Sequence, residues 1–255
     1  MADNNMIVLP KNLDISSIKL GEPQKNKMGG NVVYLQYQNA KRLTIQTPWL
    51  STPFGVSCYV DESNGNKKYS LDLSFKGMED DPKIMAFKNK MAELDEYLLD
   101  TCTKNSYEWL GKKQKKEVVE ALYRPLVKPS KDPEKYAPTM KLKILTNKSD
   151  DSFNVEAFKH KTKQPMDFSK LKKGSQVSCI IEVGSVWFVG KTNFGISFRL
   201  VQARVKSPDK ITGYSFTKDS DDEESDEEND EEENDTEDEE VDELSGDLEN
   251  TELSD

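Results

Sequence analysis

Residues 175–205, SQVSCIIEVGSVWFVGKTNFGISFRLVQARV, decide the fold class. The run is dominated by β-branched and aromatic side chains, which suit the pleated, half-buried surface of a sheet. Gly184, Gly190 and Gly195 punctuate it, and glycine inside a strand pattern marks a turn or a bend. The segment is expected to hold at least two strands, with three the better fit. Successive strand residues face opposite sides of a sheet, so Ile196, Phe198 and Leu200 share a core face while Ser197 and Arg199 point the other way.

The same alternation recurs upstream. In TMKLKIL (139–145), Met140, Leu142 and Ile144 alternate with Lys141 and Lys143, and in KKYSLDLSFKG (67–77), Tyr69, Leu71, Leu73 and Phe75 alternate with Lys68, Ser70, Asp72 and Ser74. Before that strand, FGVSCYV (54–60) sets Phe54, Val56, Cys58 and Val60 on an inward face and leaves Tyr59 outside with Ser57. The connector DESNGN (61–66) carries the Asn-Gly signal of a hairpin. NVVYLQYQ (31–38) and KRLTIQT (41–47) read as two earlier strands, completing an antiparallel meander.

Helical spacing takes over from about residue 80. Asp80 or Asp81 can cap, Pro82 suits the first helical position, and Ile84, Phe87, Met91, Leu94 and Leu98 recur on one face. A second helix is expected in KKQKKEVVEALY (112–123), with Val118, Val119 and Leu122 as its apolar side, ending before Pro125. A connector rich in Pro and Lys (124–138) then leads back to strands. Strands, a helical insertion and further strands argue an α+β protein, with an OB-like antiparallel β-barrel or curved sheet. The expected domains are an N-terminal extension (1–30), one α+β nucleic-acid-binding domain (31–218, helical insertion about 80–123) and an acidic tail (219–255).

The 255-residue chain holds 36 Lys and Arg against 47 Asp and Glu, but 23 of those acids lie in residues 219–255, which contain no Lys or Arg. Residues 1–218 therefore carry 36 bases against 24 acids. This is a basic body joined to an opposing tail, an asymmetry that points to nucleic acid or to an interaction tail. The tail is low in apolar residues and self-repelling, so it cannot bury enough surface to offset the entropy of ordering, and disorder is expected.

Several function classes lose their parts. Cys58, Cys102 and Cys179 are isolated and odd in number, which fits a reducing compartment and gives no disulfide framework. Each reads as a small buried hydrophobe. His160 is the single histidine, too few for a zinc site with Cys/His spacing or a histidine triad. With no phosphate-cradling Gly-Lys motif and no paired-carboxylate motif, neither enzyme chemistry nor a cofactor is expected. The start, MADNNMIVLPKNLD, lacks a signal-peptide pattern and no apolar run approaches the ~18 residues of a membrane span, so the protein is expected to be neither secreted nor membrane-bound.

Single-strand binding needs cations along the phosphates and aromatic faces for unstacked bases. Candidates are Lys41, Arg42, Tyr59, Lys67, Lys68, Lys141, Lys143, Lys191, Arg199 and Arg204, with Trp49 in TPWLSTPFG and Trp187 beside Gly184 and Gly190 as further platforms. Strand aromatics are more often core residues, and alternating lysines more often a solvated face or an edge guard; the excess of positive charge in the body shifts the balance. Ser220, Ser225 and Thr236 precede acidic runs and read as kinase acceptors, whose phosphorylation would deepen the tail's charge.

APTMKLKIL, the run 175–205 and the amphipathic MAELDEYLLDTC together resemble the single-stranded-DNA-binding protein family of asfarvirus and related large nucleocytoplasmic DNA viruses. NFGISFRL is the most specific element, and Asn193, Gly195, Ile196, Ser197 and Phe198 are the matching positions. The earlier LTIQTPWLSTPFGVSCY resembles an uncharacterised family of algal and giant viruses. The resemblance implies an OB barrel that coats single-stranded DNA, with RNA the alternative polymer, in viral replication, repair or recombination. It also implies a place in the host cytoplasm, the replication factory or the virion. The tail would compete with DNA or recruit replication proteins; a virion structural or chaperone-like protein that binds basic proteins is the alternative.

Overall fold

The computed structural model describes residues 7–26, 30–38, 42–190, 192–208 and 215–216. The chain divides into two units, Met1–Asp209 and Lys210–Asp255. Every element below belongs to the first. The tail and its candidate acceptors Ser220, Ser225 and Thr236 lie outside the described residues, as do Lys41 and Lys191.

Five strands close into a barrel: β1 (Leu50–Thr52), β2 (Lys67–Ser74), β3 (Thr139–Ile144), β4 (Ser175–Val189) and β5 (Asn193–Lys206). Around the ring β1 pairs β2, β2 pairs β3, β3 pairs β5, β5 pairs β4 and β4 returns to β1. All pairings are antiparallel except β3 with β5. This is the expected OB-like barrel, with its helical insertion between β2 and β3. The inward parities read from the sequence hold: Leu71, Leu73, Met140, Leu142, Ile196, Phe198 and Leu200 are all buried.

Residues 175–205 make two strands instead of three. β4 and β5 are 15 and 14 residues long and stay paired through register shifts at Ile180/Ile181 and Val183/Val186. An extra residue on one strand bends a ladder without ending it. Gly184 sits at the second shift, where a Cβ would lie 3.0 Å from the Ser197 carbonyl oxygen. Only Gly190, with φ +57°, serves as a turn.

The four-strand meander does not form. Asn31–Tyr37, Thr44–Gln46 and β1 all pair antiparallel with the long β4, at Ser185–Trp187, Ile180–Glu182 and Ser175–Val177 respectively. One 15-residue strand is thus lined along one edge by three short segments. Between two of them the Thr47 hydroxyl accepts from the Cys179 N–H at 2.9 Å, and the Ser178 hydroxyl donates to the Thr47 carbonyl at 3.0 Å. Residues 7–25 also contribute: Ile7–Val8 runs parallel to Thr44–Gln46, while Ile18–Leu20 and Gln24–Lys25 pair with Asn31–Tyr37.

The helical insertion opens with α1 (Pro82–Lys104), capped by the Asp81 carboxylate accepting from the Lys83 N–H at 2.8 Å. The apolar stripe Ile84, Phe87, Met91, Leu94 and Leu98 is buried as spaced, and Cys102 extends it. Phe87 stacks on Phe75 just past β2, with centroids 5.8 Å apart. A short α2 (Ser106–Leu110), not foreseen in the sequence, delivers Trp109 edge-on to Phe188 at 5.7 Å; Phe188 in turn stacks on Phe194, and Tyr123 leans on Phe194. These rings join the insertion to β4 and β5 beside their turn. The expected second helix is shorter than read, α3 (Lys116–Leu122), and buries Val119 while leaving Val118 exposed.

Candidate nucleic-acid interface

The outer face of β2, β3 and β5 is set by the same alternation that fills the core. Inward Leu71, Leu142 and Phe198 fix outward Ser70, Lys143 and Arg199, and the ladders place these side by side: Lys143 opposite Ser70 on one flank and Arg199 on the other. The row continues through Glu182, which faces Arg199, to Thr44. Two pairs along, on the same face, Lys141 lies opposite Asp72.

At the β2 end the row meets a two-stranded arm. Val56–Val60 pairs with the first half of β2, with Tyr59 opposite Lys68 and Cys58 opposite Tyr69. The arm departs from the sequence expectation: Phe54, Cys58 and Val60, read as an inward set, are exposed. Alternation persists there, but only Val56 and Tyr69 at the base of the arm pack against the core, and Phe54, Cys58 and Val60 have no layer covering them. The hairpin turn is as read, with Gly65 at φ +69° and Asp61 exchanging backbone bonds with Gly65 and Asn66. Tyr59 is 62% exposed, and the Lys68 ammonium lies 6.0 Å from its ring centroid.

Most cations on this face already have a carboxylate. Lys68 pairs with Asp61 at 3.2 Å, Lys141 with Asp72 at 3.1 Å, and Glu182 accepts from both Arg199 at 2.6 Å and Arg42 at 3.3 Å. Arg199 Nε is buried with no hydrogen-bond partner among the described residues. Hydroxyl and backbone donation from Ser63, together with Lys68, holds Asp61 below the usual carboxylate range. Lys143 makes no ion pair among the described residues. Partial burial and then the charge of Lys68 push its ammonium below the ordinary lysine value, although the side chain still reaches solvent.

Candidates Arg42, Tyr59, Lys68, Lys141, Lys143 and Arg199 therefore share one continuous outer surface, whereas Lys67, paired with Val60, lies on the opposite face of the arm. Trp187 is spent differently: half-buried, it lies over Gly195, where a Cβ would come within 2.9 Å of its Cζ2 and 3.1 Å of the Arg124 carbonyl oxygen. Among the matching positions of NFGISFRL, Gly195, Ile196 and Phe198 are thus packing residues. Trp49 and Arg204 sit together elsewhere, at the far end of β5, with the Arg204 guanidinium 4.9 Å from the indole centroid. Sequence reading missed Glu182, whose carboxylate organises two arginines, because a lone acid in a strand carries no signal until its cross-strand partners are known. It also missed Lys206, which extending the Arg199–Arg204 strand by two residues would have found. Tyr34, 54% exposed and opposite Ser185, is a further uncovered aromatic.

No group of three metal-ligating side chains gathers among the described residues, and no helix there is long and apolar enough to cross a membrane. The model of a family described as "Family of unknown function (DUF5871)" matches residues 79–218, from the helical insertion through β5. No curated protein matches the chain. Among solved structures it is similar to gp2.5, a single-stranded DNA-binding protein encoded by bacteriophage T7, at TM-score 0.43 and 12% identity over 69% of this chain and 98% of that one. It is also similar to the single-stranded DNA-binding protein of bacteriophage Enc34 in complex with ssDNA, at TM-score 0.40 and 16% identity over 76% and 99% of the two chains. For another structure of the same phage protein the values are 0.40, 18%, 80% and 98%.

Proposed function

This chain belongs to the DUF5871 family of unknown function, and we propose that it is a single-stranded DNA-binding protein without catalytic activity. The observation that carries the reading is the outward row of Tyr59, Lys68, Lys143 and Arg199 across β2, β3 and β5. OB barrels take oligonucleotides on the face of their second and third strands and on the loop joining the first two, and here that surface presents an exposed aromatic beside cations. A base stacked on Tyr59 would leave its phosphates near Lys68 and Lys143.

The acidic tail extends the proposal. Its 23 acids carry a polyanion's charge, and tethering gives it an effective concentration on the order of millimolar, so it competes with DNA for the cations or recruits replication proteins. The resemblance of NFGISFRL and its neighbours to the proteins of large nucleocytoplasmic DNA viruses supports a role in viral replication, repair or recombination, in the host cytoplasm or replication factory.

Fluorescence anisotropy of the full chain with oligo-dT, duplex DNA and RNA over a salt series tests the reading. Tyr59→Ala should weaken oligo-dT binding by about 1–3 kcal/mol, Tyr59→Phe far less, and Lys143→Gln should lower the salt slope by about 0.7. Deleting residues 219–255 should tighten binding at low salt. If the full chain and the deletion both ignore oligo-dT while the tail retains a basic histone-like protein, the chaperone-like alternative takes its place.

A further inference from the structure

At the far end of β5 from its turn, Trp49 carries two cations: the Lys206 ammonium is 4.1 Å and the Arg204 guanidinium 4.9 Å from its ring centroid. His160 meets the same indole edge-on at 4.8 Å. Its Nδ1 is buried with no hydrogen-bond partner among the described residues. Three chain segments converge here, since Trp49 immediately precedes β1, Arg204 and Lys206 project from β5, and His160 follows the strand Glu156–Lys159 that runs parallel to β5. The His160 N–H donates to the Val205 carbonyl at 2.8 Å, which fixes the loop against β5.

The cluster differs from the β2–β3 face in its charge balance. There most cations have a carboxylate; here neither Arg204 nor Lys206 makes an ion pair among the described residues. Glu156, on the neighbouring strand, instead accepts from the Gln202 amide at 2.8 Å. The indole face attracts each cation, but residues two apart on a strand sit about 7 Å from one another, and like charges that close repel. Arg199 and Lys206 are seven residues apart on β5, about 23 Å at roughly 3.3 Å per residue.

We propose that Arg204, Lys206 and His160, gathered on Trp49, form a second phosphodiester subsite that holds the single strand where it leaves the β2–β3 face along β5. The proposal rests on the single-strand-binding reading above and adds where the strand goes. A phosphate seated there relieves the repulsion between Arg204 and Lys206. It also acts on His160, whose imidazole is held below the ordinary histidine value first by burial and then by the positive charges of Lys206, Arg204 and Lys161. Those cations from β5 and from its own loop, with the uncharged Trp49 opposite, are the groups acting on it, so strand binding at this end takes up a proton.

His160 is the single histidine of the chain, so its ring resonances in NMR need no assignment. The experiment is a pH titration of His160 in the full chain, alone, with inorganic phosphate, and with saturating oligo-dT of about 16 nucleotides, the long limit for one OB barrel. The expected result is a raised His160 pKa with oligo-dT. In addition, Arg204→Gln with Lys206→Gln should lower the salt slope of oligo-dT binding by about 1.4, two phosphates at about 0.7 each.

An unmoved His160 pKa, with binding still weakened by Lys143→Gln, overturns the subsite and leaves the function standing. A shift with inorganic phosphate and none with oligo-dT also overturns it. Absence of any oligo-dT binding by the full chain overturns both.

Discussion

Replacing Asp95 by Asn tests how the helical insertion is fastened to the barrel. Asp95 directly follows Leu94 of the buried stripe on α1, and its carboxylate accepts from the Tyr123 hydroxyl at 2.6 Å and from the Leu126 N–H at 3.2 Å. These bonds tie α1 to the segment where Tyr123–Arg124 runs beside Phe194 and Gly195 of β5. Burial raises the Asp95 pKa from 3.8 to about 6, outweighing the Tyr123 and Leu126 hydrogen bonds that favour the ionised form.

A raised carboxylate pKa means that the native state binds its proton more tightly than the unfolded chain. Stability from this group is therefore fully present below pH 3.8 and declines until the pH passes about 6. At about 1.4 kcal/mol per pH unit, the contribution lost is about 3 kcal/mol. The amide introduced by Asp95→Asn cannot titrate yet keeps an oxygen acceptor, so the variant should gain on the wild type by about 3 kcal/mol between about pH 3 and about pH 7. Urea unfolding of both proteins across that range measures the difference, and titration of every other carboxylate cancels from it. A pH-independent difference would refute the buried-carboxylate reasoning, whatever its size.

Gly195→Ala should destabilise the barrel by about 1–3 kcal/mol through overpacking, read as a lowered melting temperature. The added Cβ meets both the Trp187 ring and the Arg124 carbonyl oxygen, and the backbone oxygen cannot retreat without breaking the Tyr123–Arg124 pairing with β5. Glu182→Gln should release Arg199 and Arg42, steepening the salt dependence of oligo-dT binding by up to about 1.4 and tightening it at low salt; anisotropy titrations of the two proteins check this. An unchanged slope would mean that neither arginine reaches a phosphate.

The barrel was legible because its signal is local. Alternation in 67–77 and 139–145 names the inward residues of β2 and β3, and the 3.6-residue spacing of Ile84 to Leu98 names the buried side of α1, without reference to any other part of the chain. What escaped was set by partners distant in sequence. The pairing of Asn31–Tyr37, Thr44–Gln46 and β1 on one long strand follows from the length and bulges of β4, and the glycine that marks one bulge, Gly184, reads equally well as the end of a strand. The exposed Phe54, Cys58 and Val60 alternate as a core set does, because period two reports a strand and says nothing of whether a second layer covers it. Lys68, Lys141, Lys143 and Arg199 were found by the same parity rule, whereas Arg204 turns outward only because the ladder shifts register before it, and His160 and Trp49 come from segments whose alternation does not mention each other.

The pairing pattern bears on how strongly this surface can hold a strand. A cation contributes to counterion release only if a phosphate replaces water and salt around it; one already held by a carboxylate must first give up that partner. On the barrel and its arm, Lys68, Lys141, Arg42 and Arg199 are held in this way, while Lys67, Lys143, Arg204 and Lys206 have no such partner among the described residues. Four unopposed cations give a salt slope of about 3, against nearly 6 if all eight engaged phosphates, at about 0.7 each. Under the proposed function, Asp61, Asp72 and Glu182 would hold down the electrostatic share of affinity while keeping long side chains fixed in place, and discrimination of single strands would fall to what duplex DNA cannot offer, an unstacked base for Tyr59. Electrostatic economy and an exposed ring on the same face both suit the proposed function, in which a single strand is gripped and later displaced.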